Sequence, residues 1–468
     1  MTDFLFERVG RARGEVAVLG LGRSGAAVSL LLRRDGHTVY ASDGGTSPAL
    51  LATAERLRDL GVATDIGAHD LNRIGHAALV VASPGVPPTA APIVTAHDHG
   101  VPVVGEMEVA LAAMPALRYI AITGTNGKTT TTALVGHILR ALGLNAVDAG
   151  NIGIALADVA LRTPQPSWAA LECSSFQLHD TPGIKPTVGV VTNLSPDHLD
   201  RYASIDDYYA DKARIFANAD PTSRWVLNGD DHAVMHLYER LGRGSALAGT
   251  VKTFSTTAAA DAWYDSSRRE LVVLGLPLIS RSELSLVGDH NVANALTAAL
   301  AVMMASEKFA TADARAKIAE ALRSFHALPN RLEPVPTSDG RVWLNDSKAT
   351  NVSSTLVAVQ GMTRPFVLLL GGRHKGEPYT ALATAISRHG KCVIAYGEAA
   401  GEIVHDLGAL VRVEHVTGDF ASVVNRARAL TVAGDAVLLS PACSSFDMFR
   451  NYEERGAAFR SLAQETMS

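Results

Sequence analysis

Short apolar runs recur along the chain, each closed by glycines or small polar residues and followed by a stretch whose apolar positions return with helical spacing. The runs at 16–19, 37–41, 78–82, 119–122, 168–172, 188–192, 225–227, 342–344, 365–370, 392–396 and 436–439 read as strands, most of them buried. Helical stretches lie between them, among them one ending near Leu32 and others at 106–113, 208–218, 290–304 and 312–325. Strands alternating with helices predict parallel sheets, so the fold class is α/β.

The pattern breaks twice. Between Gly105 and Pro115 a strand gives way to a short helix, and at 327–334 two prolines flank an Arg-Leu-Glu, which reads as a linker. These breaks divide the chain into residues 1–107, 108–327 and 328–468. The length of 468 residues, too great for one core, agrees with three domains.

Composition narrows the function classes. With 47% hydrophobic and 19% charged residues the chain can bury a large core. A net charge of -5, from 42 basic and 47 acidic residues, argues against a general nucleic-acid or membrane-surface binder. No apolar stretch has the length of a membrane span, and Asp3, Glu7 and Arg8 stand where a signal peptide needs an apolar core, so a cytoplasmic protein is expected. Cys173, Cys392 and Cys443 are odd in number and far apart, which fits reduced thiols.

The strongest chemical signal is Ile122-Thr-Gly-Thr-Asn-Gly-Lys-Thr-Thr-Thr131, a strand end, a glycine loop and a helix N-terminus. Backbone N–H groups of Gly124, Thr125, Asn126 and Gly127, with the positive end of the helix dipole, form an anion site. Lys128 adds a mobile positive charge, the Thr129 hydroxyl can ligate Mg²⁺, and Thr130 continues the turn, so the expected ligand is a nucleoside triphosphate. The glycine spacing is shorter than in the usual phosphate loop, because Ile122 stands where the first glycine falls.

Other polar groups gather at strand ends. Gly20-Leu-Gly-Arg-Ser-Gly25, followed by Asp43 at the end of the second strand, has the form of a dinucleotide site, and taken alone it leaves a nicotinamide dehydrogenase as the leading alternative. Ser83-Pro84-Gly85 closes another strand of that domain. Glu172 ends a central strand as an oxygen ligand of the kind Mg²⁺ requires. His198 reads on spacing as a loop histidine and Lys212 as a solvated helix lysine, while Asn291 near the start of an apolar helix faces a cleft or serves as a cap. Asp346, Lys348, Thr350 and Asn351 crowd one turn, and Ser444 with Asp447 has the spacing of a capping box.

Together these stretches resemble one family across essentially the whole chain. Thr123 to Thr129, Gly150-Asn-Ile-Gly153, Glu172 in its Ser-Ser-Phe-Gln context, Asp197 to Tyr202, His290-Asn291, Asn345 to Asn351 and Ser440 to Gly456 are similar to the motifs of the Mur ligases of peptidoglycan synthesis. The resemblance implies a Rossmann-like UDP-binding domain, a central phosphate-loop ATPase domain and a Rossmann-like glutamate-binding domain. It implies that ATP phosphorylates the carboxylate of UDP-N-acetylmuramoyl-L-alanine and that the amine of D-glutamate attacks the acyl phosphate, in a monomer with no nucleic-acid or membrane partner. By similarity Gly22, Arg23, Ser24, Asp43, Ser83, Gly85 and Asn151 meet the UDP-sugar, and Asn291, Arg331 and Asp346 meet the nucleotide. Thr350, Lys375, Ser445, Phe446 and Tyr452 match glutamate positions, with Lys348 near the reacting groups. Thr129 and Glu172 hold one Mg²⁺ and His198 with a carbamylated Lys212 a second. Asn330 departs from the histidine common there, and Arg373-His374 lies in a variable loop. Another Mur-type or folylpolyglutamate-synthase-like ligase adding a different amino acid is the alternative.

Overall fold

A computed structural model describes residues 14–197, 202–242, 248–286, 288–326 and 328–465. The first sheet contains β1 (Val16–Leu19), β2 (Val39–Asp43), β3 (Ala63–Ile66), β4 (Leu79–Ala82) and β5 (Val103–Gly105) in the order β3-β2-β1-β4-β5, all parallel. Its central strands are buried along their whole length, as their unbroken apolar runs require.

The second sheet has nine strands: β6 (Arg118–Thr123), β7 (Ala146–Gly150), β8 (Trp168–Glu172), β9 (Val188–Val191), β10 (Arg224–Asn228), β11 (Thr250–Ser255), β12 (Ala262–Asp265), β13 (Glu270–Val273) and β14 (Leu276–Ser280). Their order is β14-β13-β12-β11-β10-β9-β6-β8-β7, parallel except for the antiparallel run β12-β13-β14. The third sheet, β15 (Glu333–Val335), β16 (Val342–Asn345), β17 (Phe366–Gly371), β18 (Gly390–Tyr396), β19 (Val413–His415) and β20 (Ala436–Leu439), runs β15-β16-β20-β17-β18-β19 with only β15 antiparallel.

Two expectations need correction. The stretch read as a linker contains β15, because Glu333, Pro334 and Val335 pair with Asn345, Leu344 and Trp343 along the sheet edge, where Pro334 is tolerated. The capping box at Ser444 does not form. Asp447 instead accepts from the Glu398 N–H, and the next helix, Tyr452–Gln464, is capped by Asn451.

One apolar cluster runs from Val16 and Leu31 through Met107 and Ala157 to Leu171 and Trp225, so the first sheet and one face of the second share a core. The third sheet packs its two faces into separate clusters around Leu368 and Leu369. Among the described residues no helix is long and apolar enough to cross a membrane.

Candidate active site

The phosphate loop connects β6 to the Lys128–Ala141 helix, and its shape follows from Gly124. This residue has φ +138°, and a Cβ there would lie 2.1 Å from Thr192 Oγ1, so no larger residue fits. The end of β9 clamps the next turn: Asn126 N donates to Asn193 Oδ1 (2.8 Å), and the Asn126 carbonyl accepts from Thr192 Oγ1 (2.6 Å) and Asn193 Nδ2 (2.9 Å). Asn294, from the apolar Asp289–Ala305 helix, accepts from Thr131 Oγ1 and donates to Asn291 Oδ1. Asn193 and Asn294 escape sequence reasoning because single asparagines on distant elements carry no local signal.

Two lysines converge on this loop. Lys128 Nζ donates to the carbonyls of Gly124 (2.9 Å) and Thr125 (2.7 Å), and Lys212 Nζ donates to Gly124 O (2.8 Å). Lys212 is not solvated: it is 1% exposed, with its ammonium 4.4 Å from the centre of the Tyr208 ring. Burial above all, and then the charge of Lys128, holds Lys212 well below its ordinary pKa. Burial likewise lowers Lys128.

Glu172, at the end of β8, is 2% exposed. Its Oε1 accepts from Asn151 Nδ2 at 2.8 Å, while Oε2 is buried without a hydrogen-bond partner among the described residues. A buried carboxylate oxygen is costly when unpaired, and this one belongs to a cavity of about 380 Å³ that Lys128, Thr129 and Lys212 also line. The donor set, a hydroxyl and a free carboxylate oxygen beside a triphosphate loop, fits Mg²⁺. His198 lies outside the described residues; its neighbour Asp197 is buried and lines the same cavity.

This cavity draws on all three sheets. Pro84 and Gly85 reach it from the first, Arg331, Lys348, Thr350 and Lys375 from the third or the approach to it. Lys375 lies 3.7 Å from Asp197 and donates to Thr350 Oγ1 at 3.5 Å. Lys348 Nζ is 3.8 Å from the centre of the Tyr452 ring, and burial pushes its pKa down to about 8. Ser445, which is buried, and Phe446, which is exposed, lie beyond the residues lining the cavity.

Two further crevices adjoin it. One, of about 270 Å³, is lined by Asn126, Gly127, Thr130, Phe254, Asn291, Asn294, Arg331 and Asp346. Burial raises Asp346 to about 7, opposed by hydrogen bonds from Ser440 Oγ (2.8 Å) and the Leu332 N–H (3.2 Å). The other, of about 570 Å³, lies at the ends of β1 and β4 and is lined by Gly22, Arg23, Ser24, Asp43, Ser83 and Gly85, with His69, which the sequence did not single out. Asp43 accepts from the N–H groups of Leu21 (2.7 Å) and Gly45 (2.8 Å). Gly25 permits the tight turn there, since a Cβ would lie 1.7 Å from Gly20 O. Asn151 belongs to the central cavity and not to this crevice, with Pro84 and Gly85 shared between the two.

Three family models match the chain: the Mur ligase MurD-like N-terminal domain at residues 14–105, the Mur ligase middle domain at 122–302 and the Mur ligase glutamate ligase domain at 330–443. A curated relative from Acidobacterium capsulatum, named UDP-N-acetylmuramoylalanine–D-glutamate ligase, is 37% identical over 449 residues, covering 96% of this chain and 95% of the relative. The chain belongs to the Mur ligase family. A relative of the same name from Anaeromyxobacter dehalogenans is 38% identical over 96% of this chain and 97% of its own. Among solved structures, the UDP-N-acetylmuramate-alanine ligase of Thermotoga maritima has a TM-score of 0.59 at 19% identity, covering 96% of this chain and 98% of that one. The folylpolyglutamate synthase of Mycobacterium tuberculosis, complexed with ADP, reaches 0.57 at 17% identity over 77% of this chain and 94% of its own. These likenesses carry the fold. Mur ligases are ATP-dependent ligases of peptidoglycan synthesis, and the α/β, three-domain reading holds for this member.

Proposed function

We propose that this Mur ligase joins D-glutamate to UDP-N-acetylmuramoyl-L-alanine, using ATP, through an acyl phosphate. The observation that carries this reading is a central cavity adjoined by two chemically distinct crevices, in a chain whose full-length relatives bear that enzyme's name. The N-terminal match at residues 14–105 favours it over a folylpolyglutamate-synthase-like ligase adding a different amino acid.

In this reading the uridine end rests on Gly22, Arg23, Ser24, Asp43, Ser83 and Gly85, and the sugar end reaches Asn151 past the shared Gly85. ATP lies with its base and ribose near Asn291, Arg331 and Asp346 and its phosphates on Gly124 to Thr130. Lys128 offsets the repulsion between the γ-phosphate and the carboxylate it approaches. Thr129 and Glu172 hold Mg²⁺, which when bound supplies further charge neutralisation. His198 and a carbamylated Lys212 hold a second ion; the buried, pKa-depressed amine of Lys212 is chemically suited to adding CO₂. Lys348 attends the reacting groups, and Thr350, Lys375, Ser445, Phe446 and Tyr452 receive the glutamate, whose carboxylates suit a cation and hydroxyls.

We keep the division at residues 1–107, 108–327 and 328–468, supported by the gaps between the family matches, a monomeric state, and a cytoplasmic location, the last supported by three buried free thiols. The test is phosphate release from ATP, Mg²⁺ and UDP-N-acetylmuramoyl-L-alanine with D-glutamate, L-glutamate, L-lysine or L-alanine. Release that depends on D-glutamate and is lost in Lys128→Ala is the expected result; no D-glutamate dependence would overturn the reading.

A further inference from the structure

Among the described residues the third sheet shares no apolar cluster with the second, so polar contacts carry much of what passes between them. The most direct of these joins the phosphate loop to the first turn of the Val352–Gln360 helix. Asn126 Nδ2 donates to Ser353 Oγ (2.8 Å), and Asn126 Oδ1 accepts from Ser354 Oγ (2.6 Å). One amide thus makes two bonds of opposite polarity to consecutive serines. Geometry of that kind discriminates, because a shift of the helix by one residue breaks both bonds.

Each partner is held rigidly. The backbone of Asn126 is fixed by Thr192 and Asn193, leaving its side chain to reach across. On the facing side Asn351 caps the helix, accepting from the Ser354 N–H (2.8 Å) and from Ser353 Oγ (3.2 Å), and its own amide donates to Asp197 Oδ2 (2.9 Å). The two serines are therefore presented in a set orientation to a side chain whose backbone belongs to the anion loop.

We propose that Asn126, Ser353 and Ser354 form a latch by which the amino-acid-binding domain recognises a correctly shaped phosphate loop, so that the third domain closes on the loop that holds the nucleotide. The serines act as positioning residues: their hydroxyls bond Asn126 and set where Lys348, Thr350 and Lys375, on the same side of the interface, stand relative to the phosphate loop, with Ser354 itself lining the central cavity. This rests on the reading that the loop takes ATP. A polar interface of this type opens and closes reversibly, unlike the shared apolar core of the first two sheets.

The test follows closure without turnover. Fluorescent labels on introduced exposed cysteines, one in the central and one in the third domain of the full-length protein, report the closed-to-open ratio with β,γ-imido-ATP and Mg²⁺. The parent closes; Asn126→Ala and Ser353→Ala/Ser354→Ala each lower the ratio about tenfold, the size expected for two net hydrogen bonds. Combining them lowers it by clearly less than the two effects together, the coupling of a direct contact, the remainder being the bond that Ser353 Oγ accepts from Ser195 Oγ (3.4 Å). Ser354→Thr, which keeps the hydroxyl, restores closure relative to Ser354→Ala, and that single variant serves if the double one does not fold. Three outcomes would overturn the latch: a parent that does not close with nucleotide, serine variants that close like the parent, or effects that add in full. Loss of D-glutamate-dependent phosphate release in the parent would instead overturn the reading of function.

Discussion

The junction between the first two sheets contains a buried carboxylate whose titration can be isolated. Glu106 opens the Glu106–Ala113 helix, is 3% exposed, and accepts a short hydrogen bond from the Ala157 N–H at the start of the Leu156–Ala160 helix. Burial pushes its pKa from 4.5 to about 7, the Ala157 bond opposing and the charge of Asp158 adding. Between those two values the folded protein holds a proton that the unfolded chain releases. The contribution is therefore full below about pH 4.5 and is lost as pH rises through about 7. At ~1.4 kcal/mol for each tenfold change in proton affinity, a gap from 4.5 to about 7 is worth roughly 3 kcal/mol. Glu106→Gln keeps an acceptor for Ala157 and removes the titration. Urea unfolding at several pH values, followed by tryptophan fluorescence, should show the parent losing about 2.5 kcal/mol relative to the variant between pH 5 and 8. Parallel curves for the two proteins would refute the reasoning, since every other titrating group is common to both.

Two further outcomes bear on the crevices. Gly25→Ala, whose new methyl must displace the Gly20 carbonyl, is expected to raise KM for the UDP-sugar about tenfold or more while nucleotide affinity changes little, measured by steady-state kinetics and calorimetry. Lys348, held to about 8 by burial, loses its charge as pH rises past that value, so kcat should fall on the alkaline side with a midpoint near 8; Lys348→Arg should move that limb upward, and an unmoved limb would remove Lys348 from the chemistry.

What the sequence made legible was whatever a single segment encodes. The loop from Gly124 to Thr130 and the turn at Gly20 to Gly25 are local objects, with glycines where backbones crowd and a helix immediately after, and both formed where expected. Lys212 misled, because what buries it, the Gly124 carbonyl and the Tyr208 ring beside Lys128, comes partly from a segment 88 residues away. Ser444 and Asp447 had the spacing of a cap, but Glu398, 49 residues from Asp447, takes its carboxylate. The antiparallel β13 and β14 went unread; their hairpin turns through Leu274 and Gly275, both at positive φ, and a leucine there is no turn signal.

The arrangement of the crevices follows from topology. In each sheet one strand is flanked by two runs of strands that extend to opposite edges: β1 between β2-β3 and β4-β5, β6 between β9-β10 and β8-β7, β20 between β16-β15 and β17-β18. Ligand crevices form at the carboxyl ends of such strands, and Gly20 to Gly25, Gly124 to Thr130 and Ser440 to Ser445 follow those strands. The bodies that carry the first two are joined by one apolar cluster, so the Gly20 to Gly25 turn and the phosphate loop keep a fixed relation. The third sheet keeps its own core and meets the loop through Asn126, Ser353, Asp197 and Asn351. An acyl phosphate is readily lost to water, and under the proposed latch the third domain, by completing the site, would exclude water at the stage where that loss occurs. Rigid coupling on one side and polar, reversible coupling on the other are thus what an ordered transfer, phosphate first and amine second, requires of the chain.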